Sequence, residues 1–162
     1  MTTGNSLNAN QSGFQSYDGA GNFTGRTFNV GAGLSITNAD GIAGNPTLAN
    51  TSAVTWTDVT GTTQTMSVAN GYVADNASLV TFTLPSTANI GDMIQVLGKG
   101  VGGWKISQNA LQQINVGKVP STVGTLGSVS STNQFDIVEL RCITSGTSTV
   151  WTAKVNGNVT VV

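Results

Sequence analysis

The sequence predicts an all-β protein, specifically an antiparallel β-sandwich head of jelly-roll type, and three observations lead there. Gly, Thr, Asn and Ser fill nearly half of the 162 residues, and these are turn formers or, for Thr, a β-branched residue suited to a pleated surface. Apolar residues recur at period two in short runs broken by Gly, Asn, Pro or Ser. No window keeps apolar residues at helical spacing over ten residues without a Gly or a β-branched run intervening, so almost no helix is expected.

Along the chain the signal changes twice. Residues 1–28 carry Asn, Gln, Gly and Ser with Phe14, Tyr17, Phe23 and Phe28 spaced among them, too few apolar groups for an independent core. Two readings stand side by side, a flexible attachment arm and an arm ordered by winding with its counterparts in neighbouring subunits. Residues 29–51 alternate brief apolar pairs, Leu34 with Ile36 and Thr47 with Leu48, with the turn signals Asn38-Ala39-Asp40-Gly41 and Asn45-Pro46. Strands this short cannot bury their own edges and need partner chains, which predicts an intertwined shaft or neck.

Residues 52–162 form the head. VTWTDVT, TQTMSV, YVAD, LVTFTLP, DMIQVLGK, WKISQN, QINVG, FDIVELRCI, TVWTAKVN and NVTVV follow one another between turn signals, giving nine or ten strands. In LVTFTLP the residues Val80, Phe82 and Leu84 point one way and Thr81 and Thr83 the other; in DMIQVLGK, Ile94 and Val96 oppose Gln95. FDIVELRCI is apolar on both faces, with Phe135 and Ile137 opposing Val138, Leu140 and Cys142, so its second face is expected to meet another subunit. The Gly-rich GKGVGGW reads as a hairpin loop, since no helix signal and no Gly-Lys-Ser/Thr ending follow it.

Charge excludes several functions. Only 8% of residues are charged and the net charge is −1. The six cations Arg26, Lys99, Lys105, Lys118, Arg141 and Lys154 are scattered, where a nucleic-acid surface needs them clustered. No stretch approaches the roughly 18 apolar residues of a membrane span, and the first residues lack the basic flank and apolar core of a secretion signal. Membrane insertion is therefore not expected.

The catalytic inventory is thin. There is no histidine, and the single cysteine, Cys142, sits in an apolar run and reads as a buried, inert thiol. No His/Cys metal site can be assembled, and Asx turns account for NADG and YVADN better than calcium does. Asp136, Glu139 and Asp92 are the carboxylates a glycosidase would draw on, yet positions three apart on a strand face opposite sides. No catalytic residue, no cofactor and no metal are assigned, and the expectation is a non-enzyme.

Trp56, Trp104 and Trp151 stand out in a chain of few aromatics. Each has a core or interface reading, its indole N–H meeting a carbonyl. Each also has a ligand reading, because Trp beside amides and Lys stacks on and hydrogen-bonds to sugar rings. The candidate glycan contacts are Trp104, Lys105, Gln108 and Asn109.

GAGLSITNADGIAGNPTLAN resembles the Gly-punctuated repeats of phage tail-fibre proteins and related trimeric appendages. The stretch from VANGYVADN through GKGVGGWKISQN and SSTNQFDIVELRC to GNVTVV is similar to C-terminal head domains of fibre-like and collagen-like surface proteins from phages, giant-virus-associated elements and bacteria. The resemblance implies a trimeric fibre whose C-terminal head contacts a receptor or caps the assembly, with its N-terminal arm toward the particle. The expectation is a homotrimer on a virion or extracellular appendage whose head binds a host-surface glycan or receptor and whose arm meets other virion proteins. No Gly-X-Y stalk precedes the head in this chain, and no catalytic residue is carried over.

Overall fold

The computed structural model describes residues 15–17, 23–25, 30, 34–39, 45–50 and 54–162. The chain divides into two compact units, Met1–Ala53 and Val54–Val162. Most of the expected arm, and part of the Asn38–Gly41 turn, lie outside the described residues.

In the first unit, β1 (Gln15–Tyr17) pairs antiparallel with β2 (Phe23–Gly25), and β3 (Leu34–Thr37) pairs antiparallel with β4 (Thr47–Asn50). In the second hairpin Ile36 stands opposite Leu48. Leu34 shares their face by period two, and Leu34 and Leu48 are both exposed.

The second unit holds twelve strands: β5 (Thr55–Val59), β6 (Thr63–Thr65), β7 (Asn70–Ala74), β8 (Val80–Thr83), β9 (Met93–Gly98), β10 (Trp104–Ser107), β11 (Gln113–Val116), β12 (Val119–Pro120), β13 (Ser128–Ser131), β14 (Ile137–Thr144), β15 (Val150–Asn156) and β16 (Val159–Val161). They form a seven-stranded sheet, β12-β11-β15-β14-β9-β7-β5, and a five-stranded sheet, β16-β13-β10-β8-β6. No helix occurs among the described residues.

Both sheets contribute to one apolar core. Tyr72, Ile94, Val96, Val138, Leu140 and Trp151 come from the seven-stranded sheet; Val80, Phe82, Trp104, Ile106 and Val129 come from the other. The rings of Tyr72 and Phe82 meet across the layers with centroids 5.6 Å apart. The body is thus a two-layer β-sandwich. The alternation expected for Val80, Phe82 and Leu84 is present, all three being fully buried.

The strand pairing corrects the antiparallel, jelly-roll expectation. From β5 to β10 the chain crosses to the opposite sheet after every strand, so strands two apart in sequence become parallel neighbours. Thr55, Asn70 and Ile94 are in register across β5, β7 and β9, and Thr63, Thr81 and Lys105 across β6, β8 and β10. The crossover that a parallel pair requires is supplied here by a strand of the facing sheet rather than by a helix. From β11 onward most pairs are antiparallel, with β11 and β15 the parallel exception. GKGVGGW is accordingly an arch between the sheets, not a hairpin. It packs so closely on the β7–β8 connection that a Cβ on Gly102 would collide with the backbone of Ser78.

This path gives the body two ends. Chain entry at Val54, the β14–β15 loop and Val162 lie at one, where the N–H of Thr122 donates to the Val162 carbonyl (2.8 Å). The β5–β6, β7–β8, β9–β10 and β13–β14 connections gather at the other, where Lys99 and Gly100 both donate to the Ala74 carbonyl and Phe135 donates to Gly98.

Candidate ligand-contact surface

The four predicted glycan contacts do not form one surface. Trp104 is fully buried; its indole N–H donates to the Asp136 carbonyl at 2.9 Å. Gln108 is also inside, its amide donating to the carbonyls of Gln112, Thr122 and Gly124 and its oxygen accepting from the Ser121 hydroxyl. Asn109 ties its amide to the Leu84 carbonyl at 2.8 Å. Lys105 lies on the outer face of the five-stranded sheet, half-buried. The contact expectation is therefore corrected at Trp104 and Gln108, which hold the body together and cannot stack on a ligand while it is folded.

Asp136 is likewise structural. Its carboxylate is buried and accepts from the N–H groups of Thr132 (3.0 Å), Asn133 (2.8 Å) and Asn158 (3.2 Å). Asp92 accepts from the Asn89 N–H at 2.8 Å, closing a turn. Among the described residues no group of three His, Cys, Asp or Glu side chains could hold a metal ion.

The outer faces of the two sheets differ in chemistry. On the five-stranded sheet, register brings Thr63, Thr81, Lys105, Ser130 and Thr160 into one row and Thr65, Thr83 and Ser107 into the next, which ends on the buried Ser128, a surface of hydroxyls with one cation. On the seven-stranded sheet, Trp56, Gly71, Gln95, Glu139 and Lys154 stand in one row across β5, β7, β9, β14 and β15. Beside it runs Asp58, Val73, Leu97, Ile137 and Asn156.

Trp56 is 47% exposed and is held flat. Its ring lies where a side chain on Gly71 would be, for an added Cβ would stand 2.5 Å from the indole. A glycine is thus required at 71 for the ring to rest on the sheet. Gln95 leans toward Glu139 at 3.5 Å, and Arg141 approaches the other Glu139 oxygen at 3.7 Å.

A second aromatic stands at the loop end. Phe135 is 64% exposed and has φ of 68°, a left-handed backbone that costs a bulky residue of order 1 kcal/mol or more. The turn is braced from several sides: Phe135 donates to the Gly98 carbonyl, Gln134 reaches the Lys99 carbonyl at 2.7 Å, and Asp136 clamps Thr132 and Asn133. Phe135→Gly is expected to raise the unfolding free energy by roughly 0.5 kcal/mol, relief of strain exceeding the added chain entropy; denaturant titration of both proteins checks this.

Lys99 donates to Asp75 at 2.6 Å and lies 3.9 Å from Asp58. The hydrogen bond to Asp75, then the charge of Asp58, raises its pKa above the ordinary value of 10.5. Burial raises the Cys142 thiol above its ordinary 9.0. Both folded-state values lie above the unfolded ones, so each contribution is fully present below the unfolded pKa and is lost as pH rises. With no histidine to titrate, these two groups give no change in stability across neutral pH and a decline that sets in as pH approaches 9.0, where the unfolded thiol ionises first. Urea midpoints measured from neutral to strongly alkaline pH check it.

No protein-family model matches the chain, and a search of curated proteins returns no match.

Proposed function

We propose that the chain is a fibre or surface-appendage protein of a virus or phage-like particle, self-associating as a homotrimer, whose head attaches to glycan on a host surface. The observation that carries self-association is the β3–β4 hairpin. Leu48 is 59% exposed and Leu34 is also uncovered on the same face as Ile36, and a two-stranded ribbon is marginal in water without further partners. The threefold state and the particle follow from the resemblance to tail-fibre repeats. Attachment is supported by the accessible aromatics Trp56 and Phe135 on a body of little net charge, and three linked heads would raise avidity without a tight single site.

The test is a glycan array probed with the intact assembly. Binding is expected, weakening by about a hundredfold or more when the heads are presented singly; an array without hits contradicts glycan attachment. The burial of Trp104 and Trp151 favours a second reading, a structural trimerisation module without ligand, and that is the reading an empty array would leave. An intersubunit depolymerase is the third; Asp136 is committed to three N–H groups, and of the carboxylates considered only Glu139 lies on the exposed sheet face.

A further inference from the structure

We infer that the row Trp56–Gln95–Glu139–Lys154 on the outer face of the seven-stranded sheet is a binding site for an unbranched, uncharged polysaccharide lying across the strands. The inference rests on the glycan-attachment reading above and names its site and ligand class.

Four observations carry it. Trp56 is the exposed tryptophan of the three, Trp104 and Trp151 being fully buried, and its ring lies flat over Gly71 with one face toward solvent. A flat, immobilised aromatic face is what the C–H face of a sugar ring stacks on. Next, register continues that platform into Gln95, Glu139 and Lys154, which supply amide, carboxylate and ammonium groups for hydroxyls.

Four strand steps separate the ends of the row, about 19 Å, so the ligand must be a chain of several rings rather than one sugar. Trp56 stands on β5, the last strand of its sheet. The neighbouring row Val73, Leu97 and Ile137 gives an apolar margin along its length.

The charges select the class. Glu139 has Arg141 3.7 Å away and Lys154 opposite it on β15, so the carboxylate is flanked by cations and the row presents no strong field of one sign. An uncharged polymer fits this surface, and its binding is insensitive to salt. The hydroxyl rows on the opposite sheet lack an aromatic platform and are not part of the site.

The experiment titrates the intact protein with cellohexaose, cellotriose and an oligogalacturonate, following tryptophan fluorescence. Expected are quenching of the exposed tryptophan by cellohexaose, weaker affinity by tenfold or more for cellotriose, weaker binding of the anionic oligomer, and no change on raising salt. Trp56→Ala abolishes the signal. Because that variant also removes the reporter, Gly71→Ala, which displaces the ring, and Lys154→Ala are measured by calorimetry and lower affinity at least tenfold while the unfolding midpoint of Lys154→Ala stays at the wild-type value.

No heat and no quenching with cellohexaose overturns the inference, as does tighter binding of the anionic oligomer. Should the wild type bind glycans on the array and Gly71→Ala bind them equally well, the site is wrong while glycan attachment stands. An array without hits removes the attachment reading itself.

Discussion

Trp104→Ala is expected to lower the unfolding free energy by about 3–5 kcal/mol, the range for removing a buried large aromatic. The side chain enters the core from the start of β10, beside Val80 of β8, with the Gly98 backbone and the Asp136 carbonyl against its indole. Its removal also leaves the Asp136 carbonyl with one donor, the Gly98 N–H at 3.0 Å, in place of two. Packing is close enough that a Cβ added at Gly98 would stand 3.2 Å from the indole, so the site has little means to collapse. The measurement is the guanidinium midpoint at unchanged slope. The contrast is Trp56→Ala, which uncovers Gly71 beside the edge strand and, with about half of the ring already in water, should cost about 2 kcal/mol. Equal costs for the two would contradict the placement of Trp104.

Asp136→Ala carries the second largest effect, about 3 kcal/mol. One carboxylate satisfies the N–H groups of Thr132, Asn133 and Asn158; bonds to an ionised acceptor are worth roughly twice neutral ones, and the stranded donors bear their own desolvation cost. The loop it closes joins β13 of one sheet to β14 of the other, and Asn158 adds the turn between β15 and β16. Asp136→Asn, which keeps an acceptor oxygen, should restore part of the loss. A native-like midpoint for the alanine variant would show that the three bonds are replaceable by water.

Period two in LVTFTLP and DMIQVLGK gave the correct inward faces, because one side of each strand packs on the core. Parallel pairing was not legible: a strand crossing to the facing sheet has the same alternation as one turning back beside its neighbour. β13, Ser128–Ser131, was missed because Val129 is its one apolar residue, and β12 because it is two residues long and ends in Pro120.

The candidate site failed on a signal that was present. Trp104, Ile106 and Gln108 share one parity in WKISQN, and with Ile106 inward both neighbours follow it inside, leaving Lys105 and Ser107 outside. The same argument applied to TWTDV puts Val59 inside and Trp56 outward beside Asp58. What no pattern could supply is the row itself, since the partners of Trp56 come from β7, β9, β14 and β15 and depend on the register of four pairings. Phe135 gave no sign of its left-handed backbone, which arises from the bonds made by Gly98, Lys99 and Asp136 around it.

Self-association is the claim on which the attachment reading stands, and solution mass by light scattering during size-exclusion chromatography tests it most directly. The account predicts a mass near three times 16.5 kDa for the wild type, falling toward one copy in Leu48→Asp, which puts a charge on the uncovered face of the β3–β4 hairpin. A wild-type mass of one copy would contradict it, and the body would then act as a monomeric module.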